Sequence, residues 1–268
     1  MYNSQYALAY NPFDKQQLPE KDCFRSKDFQ EMTARLDYLK DTRGIGLFTA
    51  SPGMGKTYAL RCFSKSLNPN LYHMEYICLS TVSVAEFYKQ LCFILGVPAK
   101  GGKPGMFKAI QEQIWYLYHE KRQPLFLAID EAQYLSTGVL NDIKMLMNYS
   151  YDAVNCFTLI LCGESHLNGT LRRPVHEALR QRITVHYNYQ GLSDEESVNY
   201  ITHKLECAGA ARTIIDEAAM RAVAGHAHGN PRLIDNIMSD AIVIGSQTDK
   251  KTIDTEVILA AVNNQNLG

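Results

Sequence analysis

A glycine-rich loop that ends in lysine and threonine constrains the fold of this chain more than any other feature. Its residues are, in order, Ser51, Pro52, Gly53, Met54, Gly55, Lys56 and Thr57. An apolar segment at 45–50 precedes the loop, and a segment with Leu60, Phe63 and Leu67 on one side follows it. The pattern therefore predicts a strand, a tight loop and a helix, which is the setting in which such loops bind phosphate groups.

The residue types of this loop suit a nucleotide triphosphate. Glycines let the backbone curl so that its N–H groups point at phosphate oxygens, and the start of the following helix favours negative charge. We expect Lys56 to reach the β- and γ-phosphates and the Thr57 hydroxyl to bind Mg²⁺. The predicted ATP-binding segment runs through Tyr58. Ala50 stands where the usual pattern has its first glycine, a mild change because later residues build the phosphate cradle.

A second motif supplies two carboxylates. The apolar run 125–129 predicts a buried strand, and Asp130 and Glu131 follow it directly. A strand end can deliver Asp130 to the metal ion, while Glu131 can activate the attacking water as a general base. Together with the phosphate loop, this pair predicts hydrolysis of ATP.

Strands and helices alternate over most of the chain, and helices alone follow Gly191. This order predicts an α/β fold, in which a parallel sheet flanked by helices precedes a small all-helical lid. We expect a lead-in at 1–43, a nucleotide-binding core at 44–190 and the lid at 191–268. The Gly/Pro/Lys-rich segment 98–105 is predicted to be a loop, and a single helix is predicted to lead to Arg182. Capping boxes of Ser83 with Glu86 and of Ser193 with Glu196 predict two helix starts. The predicted strands are 45–50, 72–79, 125–129, 156–162 and 183–189.

The amino-acid composition limits which cellular compartment and which binding partners we expect. The 268 residues carry a formal net charge of −1, without the basic excess typical of many nucleic-acid-binding proteins. The seven scattered cysteines predict reduced core thiols and a cytoplasmic location. Because no apolar run reaches the roughly 18 residues of a membrane span, no membrane partner is expected.

Several motifs together resemble the AAA+ ATPases, within them the ExeA-like group, over residues 20–268. The carrying segments are 11–13 (Asn-Pro-Phe), 51–57, 129–133 (Ile-Asp-Glu-Ala-Gln), 161–164 (Leu-Cys-Gly-Glu), 179–183 (Leu-Arg-Gln-Arg-Ile) and 229–232 (Gly-Asn-Pro-Arg). The resemblance implies a P-loop AAA+ core, and it assigns the lid arginine called sensor 2 to Arg232. Asn230 can cap the lid helix and Pro231 fits its first position, so that Arg232 projects from the first turn.

The same resemblance implies sites shared between copies of the chain. Arg182, or as second choice Arg180, matches the finger arginine that contacts ATP on a neighbouring subunit, which implies a homo-oligomer. The family has a polar residue called sensor 1, which positions water, after the strand predicted at 156–162. In this chain it falls on Glu164 or Ser165, because Gly-Glu-Ser stands where the family often has Gly-Gln-Pro. A metal pair at His226 and His228 lacks a third ligand, so a polar loop is the preferred interpretation.

The resemblance points to two biological roles. Secretion ATPases like ExeA continue into a membrane span and a cell-wall-binding domain, whereas this chain ends after the lid. The expected role is therefore that of the TnsC- and Mu B-like regulators of transposition, which assemble with ATP on double-stranded DNA and direct a transposase. Lys100, Lys103 and Lys108 are the predicted DNA-binding residues. A protein scaffold that binds ATP with little turnover is the third interpretation.

Overall fold

The computed structural model describes residues 5–14, 23–210 and 214–265, and these residues form two compact units. The sheet unit contains Glu31–Pro52 and Lys56–Tyr189. The helical unit contains the described parts of Met1–Gln30, Gly53–Gly55 and Gln190–Gly268. The predicted lead-in 1–43 is thus divided between the two units, and three residues of the phosphate loop group with the helical one.

The sheet unit is built on five parallel strands in the spatial order β2-β3-β4-β1-β5. The strands are β1 (Gly44–Thr49), β2 (His73–Ile77), β3 (Leu125–Ile129), β4 (Phe157–Gly163) and β5 (Ile183–Asn188). Every residue of β1, β3 and β4 is buried, as expected for central strands covered on both faces. All five predicted strands are confirmed, and the parallel arrangement brings their carboxyl ends to one edge of the sheet.

Helices surround this sheet and connect its strands. They are α1 (Lys27–Thr42), α2 (Lys56–Ser66), α3 (Val84–Ile94), α4 (Gly102–His119), α5 (Thr137–Leu146), α6 (His166–Arg172) and α7 (Glu177–Arg180). Helix α3 begins with the predicted capping box, in which Ser83 and Glu86 satisfy each other's backbone N–H groups. None of the helices in the described part of the chain is both long and apolar enough to span a lipid bilayer.

Two predicted boundaries in this unit were wrong. The segment 98–105 is only partly a loop, because Gly101 adopts a left-handed conformation (φ 75°) and α4 starts at Gly102. A proline in the first helical turn is tolerated, so Pro104 does not delay the helix. The single helix expected to lead to Arg182 is broken into α6, a short 3₁₀ turn and α7, because Pro174 disfavours helical geometry at the residue before it.

The described residues beyond 190 form four helices, which share an apolar core. They are α8 (Asp194–Cys207), α9 (Glu217–Ala227), α10 (Pro231–Gln247) and α11 (Thr255–Gln265). The capping box of Ser193 and Glu196 and the predicted Asn230 cap are confirmed. Buried residues from the amino-terminal segment complete this core, among them Tyr6, Leu8 and Phe13. The segment before α1 therefore has a structural role in the helical unit.

All seven cysteines are free thiols, and four of them are buried: Cys23, Cys92, Cys156 and Cys162. Cys78 is exposed, which departs from the expectation of core thiols. It follows β2, the strand at one end of the sheet, where one flank has no neighbouring strand.

A buried histidine makes the stability of the sheet unit dependent on pH. His176 is 1% exposed, and neither ring nitrogen has a hydrogen-bond partner among the described residues. Burial, together with the nearby charge of Arg173, lowers the pKa of His176. The folded state therefore holds this ring neutral, whereas the unfolded chain binds a proton below about pH 6.5.

We expect the free energy of unfolding to fall as the pH drops below about 6.5 and to be insensitive to His176 above it. Replacing His176 with leucine should flatten this decline, since the variant cannot bind that proton. Denaturant titrations between neutral and mildly acidic pH measure the slope, and the exposed His226→Leu variant serves as the control. An unchanged slope in His176→Leu would show that other groups cause the acid sensitivity.

Candidate active site

The phosphate loop follows β1, which lies between β4 and β5 in the sheet, and ends in the first turn of α2. Gly53 and Gly55 both have positive φ angles, 86° and 91°, which residues with side chains rarely adopt. These two glycines turn the backbone so that it enters α2 at Lys56. The start of a helix presents backbone N–H groups and a partial positive charge, so this position favours an anion.

Lys56 lies folded back against the loop that carries it. Its ammonium group donates hydrogen bonds to the carbonyl oxygens of Ala50 (3.1 Å) and Ser51 (3.4 Å). Burial lowers the pKa of Lys56, and the nearby carboxylates of Asp130 and Glu131 oppose that change. The side chain is thus surrounded by acceptors that a phosphate group could replace.

Gly53 also lies against the start of α10 within the helical unit. A Cβ atom placed on Gly53 would be 2.5 Å from Asn230 Oδ1 and 2.8 Å from Arg232 Cβ. Asn230 Oδ1 accepts the backbone N–H of Arg232 at 3.0 Å, so the predicted cap holds this turn in place. The helix start at Asn230 is as predicted from the sequence, whereas no sequence signal indicates its close packing against Gly53.

Asp130 connects the phosphate loop to the sheet. Its carboxylate Oδ2 accepts hydrogen bonds from the Thr57 hydroxyl (2.7 Å) and from the Tyr76 hydroxyl (2.9 Å). Its other oxygen accepts the backbone N–H of Glu131 at 2.9 Å. Asp130 itself is 4% exposed, whereas Thr57 and Tyr76 are exposed, so the buried carboxylate lies at the inner end of the network. The two residues predicted to bind the metal, Thr57 and Asp130, are therefore in direct contact.

The donor set of this pair suits Mg²⁺. A hydroxyl and a carboxylate are hard oxygen ligands, and Mg²⁺ commonly takes only one or two protein oxygens together with phosphate oxygens and water. Among the described residues, no group of three or more His, Cys, Asp and Glu side chains could hold a metal ion. Thr57 and Asp130 fit a nucleotide-bound Mg²⁺, which needs no such group. The polar loop expected at His226 and His228 is instead a helix end, because His226 lies in the last turn of α9 and His228 is its C-cap.

Tyr76 is a site residue that the sequence analysis missed. Burial, together with its hydrogen bond to Asp130, raises the pKa of Tyr76. The phenol therefore stays protonated and donates to the carboxylate at neutral pH. With 16 tyrosines in the chain, the sequence offers no signal that singles out this one.

Glu131 lies beside the segment that follows β4. The backbone of Glu131 is left-handed (φ 52°), and the 3₁₀ turn Ala132–Tyr134 follows it. Gln133 in this turn donates a hydrogen bond to Glu131 Oε2 at 2.6 Å and accepts the Glu164 N–H at 3.0 Å. The Glu164 carboxylate lies 3.5 Å from His166, and Ser165 is exposed, so both remain candidates for sensor 1.

The two candidate finger arginines have different surroundings. Arg182 forms a bidentate ion pair with Asp152, with nitrogen–oxygen distances of 2.5 and 2.6 Å. Arg180 instead donates to the backbone carbonyls of Leu171 (3.3 Å) and Arg172 (3.0 Å). Arg180 therefore stabilises the local backbone. The ion-pair partner of Arg182, Asp152, is half exposed, so a phosphate group could take its place.

The turn that carries Asp152 is strained. Ser150, Tyr151 and Asp152 have consecutive positive φ angles of 49°, 58° and 69°, an arrangement that is costly for residues other than glycine. A bridge between Tyr149 and Val154 closes the turn, and the Tyr151 side chain is fully exposed.

The three predicted DNA-binding lysines do not form one free patch. Lys100 is exposed, and Lys108 lies 3.7 Å from Glu112 on the same helix. Lys103 forms a 2.7 Å ion pair with Asp142, whose side chain is only 3% exposed. Because a buried carboxylate needs its partner, removing Lys103 would destabilise the fold as well as change the surface charge.

Comparison with known proteins gives one match to a domain model and matches to longer curated proteins. Residues 39–171 match the AAA domain model AAA_22. The chain is 29% identical over 265 residues to general secretion pathway protein A of Aeromonas hydrophila, a match that covers 97% of this chain and 48% of that protein. The chain spans about half the length of the curated relatives it matches.

Solved structures share the fold at low sequence identity. The Cdc6p structure from Pyrobaculum aerophilum superposes with a TM-score of 0.74 at 16% identity, covering 96% of this chain and 71% of that one. The structure of Drosophila ORC bound to DNA gives a TM-score of 0.73 at 15% identity, covering 98% of this chain and 66% of that one. At these identities the likeness concerns the fold alone.

Proposed function

We propose that this chain, which has the P-loop AAA+ fold and an AAA domain at residues 39–171, binds ATP with Mg²⁺ and hydrolyses it. The observation that carries the proposal is the contact between the Thr57 hydroxyl of the phosphate-binding helix and the Asp130 carboxylate, with Glu131 next to it. Phosphate-binding, metal-binding and base groups are thereby combined at the carboxyl ends of β1 and β3.

Each group has a distinct task in the proposed reaction. The N–H groups of residues 53–58 and the Lys56 ammonium bind and orient the phosphates, and Pro52 shapes the start of the loop. Thr57 and Asp130 would hold Mg²⁺, which when bound neutralises charge on the phosphate oxygens. Glu131 accepts a proton from the attacking water at its carboxylate. Arg232 would respond to the nucleotide, a proposal supported by its packing against Gly53.

A direct test compares ATP binding by the wild type and by Lys56→Ala. Losing a charged hydrogen bond, worth about 1.5–3 kcal/mol, should weaken ATP binding by roughly 10- to 100-fold. Titration with a fluorescent ATP analogue in the presence of Mg²⁺ measures the dissociation constant. Lys65→Ala, in the last turn of the same helix, is the matched control. Failure of the wild type to bind any adenine nucleotide would exclude the proposal.

We further propose that ATP promotes assembly of copies of this chain on double-stranded DNA, as in a regulator that directs a transposase. Support comes from the exposed Lys100 and from the similar fold of a protein solved bound to DNA. Phosphate release with and without duplex DNA tests this idea, because DNA-stimulated turnover is expected. Charge reversal at Lys100 and Lys108 should reduce the stimulation, while Lys103 is left intact to preserve its pair with Asp142.

A role in secretion is the second candidate, and the 29% identity to general secretion pathway protein A favours it. In that case duplex DNA should change neither phosphate release nor assembly state. A scaffold that binds ATP without turnover would show binding in the titration and no phosphate release under either condition. The same two measurements therefore separate all three functions.

A further inference from the structure

We propose that Gln133 is a positioning residue that orients the Glu131 carboxylate and ties it to the end of β4. This inference rests on the proposed ATPase function, in which Glu131 is the general base. Gln133 Nε2 donates to Glu131 Oε2 at 2.6 Å. The hydrogen bond occupies one carboxylate oxygen and leaves the other available to accept a proton from water.

The opposite end of the same amide is anchored to the sheet. Gln133 Oε1 accepts the backbone N–H of Glu164, the residue directly after β4, at 3.0 Å. Only one orientation of the amide satisfies both partners, because its NH₂ group must face the carboxylate and its oxygen must face the N–H. The Glu131 side chain is therefore connected to β4 through two directed hydrogen bonds.

The end of β4 has room for this amide because Gly163 has no side chain. A Cβ atom on Gly163 would lie 2.8 Å from Gln133 Oε1 and 2.9 Å from Leu167 Cδ2. The φ angle of Gly163 is not positive, so its backbone conformation does not require glycine. The space left by the missing side chain explains why glycine occupies this position. Even alanine at this position would push the amide away from the Glu164 N–H.

The backbone around Glu131 also depends on support from its neighbours. Its left-handed conformation is unfavourable for a residue with a side chain, and such conformations persist where surrounding contacts fix them. The 3₁₀ turn returns Gln133 to the carboxylate two residues later. The hydrogen bond from Gln133 therefore fixes the direction of the Glu131 carboxylate, in a turn whose backbone conformation is not favoured by the residue itself.

Steady-state kinetics of Gln133→Ala test the inference. We expect kcat to fall about 10- to 100-fold, the range for misplacing a reacting group by about an ångström. KM and the dissociation constant for ATP should stay unchanged, since Gln133 is outside the phosphate loop. The matched control Gln111→Ala removes a partly exposed glutamine of α4 that donates to the Asn148 carbonyl, and it should retain wild-type kinetics.

A charged variant distinguishes positioning from a general structural role. Gln133→Glu keeps an acceptor for the Glu164 N–H but replaces the donor to Glu131 with a second carboxylate that repels it. We expect kcat to fall at least as far as in Gln133→Ala with KM unchanged, while thermal unfolding confirms that the protein is folded.

A second pair of variants independently tests the space that Gly163 leaves for the Gln133 amide. Gly163→Ala should reproduce the fall in kcat, whereas Gly169→Ala, where an added Cβ would meet nothing within 4 Å, should not. Combining Gln133→Ala with Glu131→Gln should cause no loss beyond that of Glu131→Gln alone.

The outcomes separate this inference from the proposed function. If the wild type hydrolyses ATP and Gln133→Ala keeps or exceeds its kcat, the inference is wrong while the ATPase function stands. Weakened ATP binding in Gln133→Ala, or a Gly163→Ala variant with normal turnover, would also overturn it. A wild type that binds ATP but never releases phosphate overturns the proposed function itself.

Discussion

Replacing Glu131 with glutamine is expected to lower the rate of ATP hydrolysis by about 10²–10⁴-fold while leaving ATP binding intact. The substitution preserves size and removes the carboxylate that accepts the proton of the attacking water. Binding should persist because Lys56, Thr57 and Asp130, the groups expected at the phosphates and the metal, are unchanged. The variant should therefore accumulate with ATP bound.

Single-turnover phosphate release and equilibrium ATP titration measure the two effects separately. Glu112→Gln is the matched control, since Glu112 is an exposed carboxylate on α4. Equal losses of binding and turnover in Glu131→Gln would mean that Glu131 supports the site structurally. Normal turnover would move the role of general base to another group.

Replacing Arg182 with alanine is expected to lower turnover by about 10³–10⁵-fold if its guanidinium completes the active site of a neighbouring copy. In the isolated chain this guanidinium pairs with Asp152, whose side chain is 51% exposed. Exposed ion pairs contribute only about 0–1 kcal/mol, so exchange of Asp152 for a phosphate group costs little. Loss of the Arg182–Asp152 ion pair alone should therefore leave the free energy of unfolding almost unchanged.

Mixing two inactive variants shows whether Arg182 acts on another subunit. Glu131→Gln copies supply the arginine, and Arg182→Ala copies supply the base, so mixed assemblies should recover part of the turnover. Asp152→Ala should remain active, and Arg180→Ala should lose stability before activity, because Arg180 holds backbone carbonyls. Absence of recovery in the mixture would contradict action between subunits.

The sequence was sufficient for the elements whose signals are local. The apolar runs predicted all five strands, and cap residues such as Asn230 and the boxes at Ser83 and Ser193 marked helix starts correctly. Placing Asp130 near Thr57 also followed from pattern, because parallel strands end at the same edge of a sheet. These features depend on neighbours in sequence or on a general rule of the fold.

The contacts that the sequence left undetermined depend on which strands are adjacent. Tyr76 reaches Asp130 because β2 pairs with β3, and Gln133 reaches Glu164 because β4 lies on the other side of β3. The sequence around Tyr76 or Gln133 does not indicate the spatial order of these strands in the sheet. The pairing of Lys103 with Asp142 was equally hidden, since it requires knowing that this aspartate is buried.

The strained turn at Ser150–Asp152 gives the proposed assembly a structural reporter. The last of its three left-handed residues, Asp152, is held by the ion pair with Arg182. If Arg182 moved to a phosphate group as proposed, the turn would lose that ion pair and could relax toward more common backbone angles. Tyr151, at its tip, would then sample a different environment, so the change from free chain to engaged subunit should be readable at a single side chain.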